Sequence, residues 1–117
     1  MRPTVVIVDD HAEFRRSATT LLDADGFAII GEADDAPQAI ERVAALQPDI
    51  VLLDIQLPGL DGFDVAQQLC AGENPPLVVL ISSREARDYG SAIDGSPARG
   101  FLHKSQLSCA ALAELIR

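Results

Sequence analysis

The sequence predicts an α/β domain: a five-stranded parallel sheet, doubly wound, with helices on both faces. Two patterns carry that expectation. Short aliphatic runs rich in β-branched residues recur along the 117 residues, and amphipathic stretches of helical period separate them one by one. The runs do not alternate apolar with polar residues, as half-solvated strands do, so both of their faces need cover. Strict βα alternation also calls for right-handed crossovers between parallel neighbours.

The first run, Val5 to Val8, precedes a helical stretch over Ala12 to Asp25. Ala28 to Ile30 reads as the second strand and Ala36 to Leu46 as the second helix, with Pro37 suited to its first turn and Pro48 stopping it. Ile50 to Leu53 is the third strand. The turn Pro58-Gly59-Leu60-Asp61-Gly62 then introduces a helix over Gly62 to Ala71 that ends before Gly72. After Pro75-Pro76 comes the fourth strand, Leu77 to Ile81. Glu85 to Asp94 reads as the fourth helix, although Gly90 and a scarcity of large apolar residues make it marginal. Phe101 to Leu102 and Leu107 to Ile116 supply the last strand and helix. No repeat, low-complexity tract or linker divides the chain, so residues 1–117 are expected to form one domain.

Hydrophobic residues at 48% and charged residues at 23% argue against intrinsic disorder. No apolar run approaches the ~20 residues that span a bilayer, and Met1-Arg2-Pro3 leads into the first strand without a signal-peptide cleavage site. The expected location is the cytoplasm. Eighteen acidic residues against nine basic ones give a net charge of −9, which disfavours direct binding of nucleic acid or anionic membrane. Cys70 and Cys109 lack metal-ligand spacing and read as small apolar residues. His11 and His103 read as surface or rim residues, too separated for a metal site.

Ligands of such sheets bind beyond the carboxyl ends of the strands. There the first strand delivers Asp9-Asp10, the third Asp54, the fourth Ser82-Ser83, and the last Lys104, the one lysine of the chain. Three carboxylates at one rim repel each other, so either one holds a proton or a cation joins them. Oxygen-only ligands favour Mg²⁺, which retains coordination sites for phosphate oxygens. With a hydroxyl and an ammonium at the same rim, the ligand that completes the set is a phosphoryl group. Asp54 would be its nucleophile, Lys104 would pair with one of its oxygens, and Ser82 would donate to another.

Four segments, VVIVDDH, DIVLLDIQLPGLDGFD, LVVLISS and RGFLHKS, resemble, in order and interval, the receiver domain of bacterial two-component response regulators. The resemblance covers nearly the whole chain and implies a flavodoxin-like (βα)5 fold. It implies Asp54 as phosphoacceptor, Asp10 and Asp54 as direct Mg²⁺ ligands, Asp9 acting mostly through metal-bound water, and the backbone carbonyl of Gln56 as a further ligand. It further implies Ser82 and Lys104 on the phosphoryl oxygens, Phe101 as an aromatic switch, a sensor histidine kinase as phosphodonor, and a homodimer as an available output state. VDDHAEFR and GFLHKSQLS are most similar to the subfamily in which a receiver precedes a LuxR-type helix-turn-helix. With Arg117 inside or just after the last helix, the DNA-binding part is expected to be absent from this sequence. Ser105 stands where receivers often carry proline after the lysine, which leaves cis or trans geometry open at that bond. Arg84, Glu85, Arg87 and Tyr89 are expected to be exposed near the output surface.

Three alternatives share parts of this pattern. A flavodoxin-like electron carrier would need a Ser/Thr/Gly-rich phosphate loop where Asp9-Asp10 stands. A haloacid-dehalogenase-type phosphatase would carry its nucleophile on the first strand, with a second Asp two residues on. A receiver-like interaction module that takes no phosphate would need none of these acidic residues, yet every acceptor-site residue type is present.

Overall fold

The computed structural model describes residues 2–24 and 26–117. Its elements run β1 Thr4–Val8, α1 Ala12–Asp23, β2 Ala28–Ala33, α2 Ala36–Leu46, β3 Ile50–Asp54, α3 Gly62–Cys70, β4 Leu77–Ser82, β5 Gly100–His103 and α4 Cys109–Ile116. The strands form one parallel sheet in the order β2-β1-β3-β4-β5. Asp25, the expected end of the first helix, lies outside the described residues.

Successive side chains of a strand point to opposite faces, and the two faces carry two cores. Val6, Val8, Val51, Leu53 and Leu80 meet Ala39, Val43, Val65 and Leu69 of α2 and α3. Val5, Ile7, Leu52, Val79 and Ile81 meet Ala18 and Leu22 of α1 and Leu112 of α4. This double burial is why the strands show no polar alternation. β2 is an edge strand and tolerates an exposed Glu32, so it continues to Ala33, beyond the aliphatic run that marked it.

Side-chain caps set three helix starts. Asp35 accepts a hydrogen bond from Gln38 N–H at 2.9 Å, Asp61 from Asp64 N–H at 3.0 Å, and Ser108 from Ala111 N–H at 3.0 Å. The Ser108 cap moves the start of α4 to Cys109 from the expected Leu107. Asp10, by contrast, does not cap α1; His11 holds that position and its side chain makes no capping bond.

The expected fourth helix is corrected. Only Ala86–Tyr89 is helical, as a single 3-10 turn in which Asp88 accepts from Glu85 N–H at 3.0 Å. Gly90 then turns the chain at φ 59°, a conformation that costs glycine little and ends a helix. Beyond it, scattered turn bonds such as Gly95 N–H to Ser91 C=O at 3.0 Å replace a helical ladder. With few large apolar side chains over 85–94, no second face was available to hold a longer helix against the sheet.

At the carboxyl end of β3, Gly62 lets α3 approach closely. Its N–H donates to Ile55 C=O at 2.7 Å, and a Cβ there would stand 2.5 Å from Ile55 Cα and 2.6 Å from the Asp54 carbonyl oxygen. Gly62→Ala is therefore expected to cost about 2–3 kcal/mol by forcing α3 off the strand end. A lowered denaturation midpoint measures it, and a midpoint within error of the wild type would contradict the close approach.

Candidate phosphoryl and metal site

The carboxyl ends of β1, β3, β4 and β5 bring the expected groups together. Asp9 and Ser82 are fully buried and Asp54 is 2% exposed, whereas Asp10 lies on the solvent side. Lys104 Nζ reaches in from the end of β5, 2.5 Å from Asp9 Oδ2 and 3.4 Å from Asp54 Oδ2. The ammonium also sits 4.6 Å from the centroid of the Phe14 ring on α1. Asp54 Oδ1 accepts from Gln56 N–H at 3.0 Å, and Asp9 Oδ1 accepts from His11 N–H at 2.8 Å.

Burial raises the Asp54 carboxyl from 3.8 to about 6, and the charge of Asp9 adds to this; the Gln56 N–H and Lys104 act in the opposite sense. One ammonium thus serves two buried carboxylates and satisfies neither completely. Asp9 Oδ2 receives no hydrogen bond of good geometry despite the nearby ammonium. A buried carboxylate oxygen left in that condition, beside Asp10 and Asp54, fits a divalent cation or its bound water. Ligand atoms of Asp9, Asp10, His11 and Asp54 all lie within 4.8 Å of one another.

Two site residues differ from their expected places. His11 is exposed at the rim, as expected, but its Nδ1 lies 3.1 Å from Asp9 Oδ1 and 3.0 Å from Asp10 Oδ1, so it belongs to the acidic cluster. Tyr89 was expected among exposed output residues, yet it is half-buried, because its ring lies between Phe63 and Phe101 at centroid distances of 5.7 and 6.3 Å. Its hydroxyl is 2.5 Å from Ser82 Oγ. Arg84, Glu85 and Arg87 are exposed as expected, and Phe101 is half-buried against the core face shared with α2 and α3. His103 lies at the rim, as expected, and also braces it. Its Nε2 lies 2.9 Å from Ser83 C=O and its Nδ1 accepts from Ser105 N–H at 3.1 Å, which ties the ends of β4 and β5 together. No cis peptide bond occurs among the described residues, so the Lys104–Ser105 bond is trans. Cys70 and Cys109 are half-buried, and burial raises the pKa of Cys70.

Comparison with known proteins gives this geometry its class. Residues 5–117 match the response regulator receiver domain, and the chain belongs to that family, whose members are signalling modules. Response regulator GacA of Pseudomonas viridiflava is 30% identical over 114 residues, covering 97% of this chain and 51% of that protein. DNA-binding response regulator MtrA of Mycobacterium tuberculosis H37Rv is 40% identical over 90 residues, covering 75% of this chain and 38% of its own length. The chain thus spans about half or less of these relatives. Among solved structures, the signal receiver domain of the putative response regulator NarL from Mycobacterium tuberculosis superposes with a TM-score of 0.85 at 35% identity, covering 97% of this chain and 94% of that one. A CheY-like receiver domain from Methylobacillus flagellatus shares the fold at a TM-score of 0.85 and 22% identity, covering 99% and 97%. No described helix is long and apolar enough to cross a membrane.

Proposed function

We propose that Asp54 accepts a phosphoryl group from the phosphohistidine of a sensor kinase and that the modified domain signals through the 84–99 segment. The observation that supports this most directly is the pairing of one ammonium with two buried carboxylates at a strand-end rim. Attack by an Asp54 oxygen forms the O–P bond as the N–P bond of the phosphohistidine breaks, and the imidazole leaves with a proton. Lys104, already 3.4 Å from Asp54, neutralises one transferred oxygen, and Ser82 donates to another. Mg²⁺ would be held by Asp10, Asp54 and the Gln56 carbonyl, with Asp9 acting through water, and it would neutralise charge on the phosphoryl oxygens.

The new dianion then draws Ser82 inward and Phe101 repacks behind it. Exposed Arg84, Glu85 and Arg87 present charge there to a partner, including a second copy of this chain. By analogy with relatives named as DNA-binding regulators, the output is control of transcription from a cytoplasmic protein. Incubation with acetyl phosphate and Mg²⁺ is expected to add one phosphoryl mass to the intact chain and none to Asp54→Asn. An adduct on the variant, or none on the wild type, would overturn the assignment.

A further inference from the structure

Ser82 Oγ makes two hydrogen bonds, and neither points toward the acidic rim. It accepts from Arg84 N–H at 3.0 Å and shares a proton with Tyr89 Oη at 2.5 Å. The hydroxyl expected to meet a phosphoryl group on Asp54 is therefore engaged on the 84–89 side of the strand. Tyr89 is itself held: it ends the 3-10 turn, and its ring is wedged between Phe63 of α3 and Phe101 of β5. Phe63 and Phe101 have no hydroxyl, so of these three aromatic rings only Tyr89 can bond to Ser82.

We infer that Tyr89 is a positioning residue, a latch that keeps Ser82 turned away from Asp54 until phosphorylation breaks their hydrogen bond. This rests on Asp54 being the phosphoacceptor. A hydrogen bond to a phosphoryl dianion is charge-assisted and roughly twice as strong as one between two neutral hydroxyls, so Ser82 changes partner once the dianion forms. The phenol then loses its partner beneath the Phe63 and Phe101 rings. The 90–98 stretch, whose backbone makes only scattered turn bonds, can follow it at small cost. Coupling thus runs from Asp54 through two hydroxyls to the segment that presents Arg87.

Tyr89 is the one tyrosine of a chain without tryptophan, so tyrosine fluorescence reports this phenol alone. The test adds beryllium trifluoride and Mg²⁺ to the full chain, with bound fluoride followed by ¹⁹F NMR alongside the emission. Bound fluoride with a changed tyrosine emission is expected, and Ser82→Ala should show the altered emission before any addition. Absence of bound fluoride would overturn the phosphoacceptor reading itself, whereas bound fluoride with unchanged emission would overturn only the latch. In kinetics, Tyr89→Phe keeps the ring but frees Ser82, and is expected to speed phosphorylation by acetyl phosphate about fivefold, the worth of one neutral hydrogen bond. The same substitution in a Ser82→Ala background should change nothing. An equal effect in both backgrounds, or none in either, would reduce Tyr89 to a packing residue.

Discussion

Lys104→Met is expected to lower the unfolding free energy by about 3 kcal/mol in chelator-treated protein, and by much less in excess Mg²⁺. The ammonium is the counter-ion for two buried carboxylates, Asp9 and Asp54. Methionine fills similar space but leaves both uncompensated, so one must take up a proton or the fold must yield. A divalent cation can replace the missing charge. For the same reason the variant should bind Mg²⁺ more tightly, by about tenfold, since lysine and metal compete for the same oxygens. Phosphorylation by acetyl phosphate should nonetheless slow about 100-fold, because a donor aimed at the transferred group has gone. Calorimetric titration with Mg²⁺ and intact-mass kinetics check the pair. Weaker metal binding by the variant would show that the lysine helps to build the cation site rather than occupying its place.

Asp54→Asn should stabilise the metal-free protein near neutral pH by roughly 2 kcal/mol. The carboxyl titrates at about 6 in the folded chain against its ordinary 3.8, chiefly because it is buried. Between those values the folded state keeps a proton that the unfolded chain has released. The resulting stability is complete below 3.8, falls as pH rises through about 6, and is absent above it. Asparagine cannot ionise and escapes that loss, although it gives up part of the attraction to Lys104. Urea denaturation of both proteins across this window should show the difference growing up to about pH 6 and then levelling, with Mg²⁺ narrowing it. A variant less stable than the wild type at neutral pH would mean that the Lys104 contact outweighs the burial of the charge.

Much of this was legible in the residues alone. Five apolar runs marked all five strands, because burial on both faces leaves an unbroken hydrophobic signature. Asp9, Asp10, Asp54, Ser82 and Lys104 could be placed on one rim, since each ends or follows such a run and parallel strands align their carboxyl ends. The 85–94 stretch misled because its period suggested a helix, and only the turn at Gly90 and the lack of an apolar face decide otherwise. Tyr89 was misplaced for a related reason. Once the helix is lost its side chain points inward, and its contacts with Phe63 and Phe101 come from elements 26 residues before it and 12 after it in sequence, which no local pattern reveals. His11 carried a usable signal, its adjacency to two acidic residues, but two histidines far apart did not suggest a cluster built from one of them with aspartates.

The position of β3 at the centre of the strand order divides labour across the molecule. To one side stands β1, which leads into the carboxylates of Asp9 and Asp10 and the imidazole of His11; to the other stand β4 and β5, which bring the hydroxyl, the amine and the loosely organised chain between them. On the proposed function, ion capture and shape change would occupy opposite flanks of a single aspartate. Sequence drift that retunes the responsive flank for a new recipient can leave the capturing flank untouched.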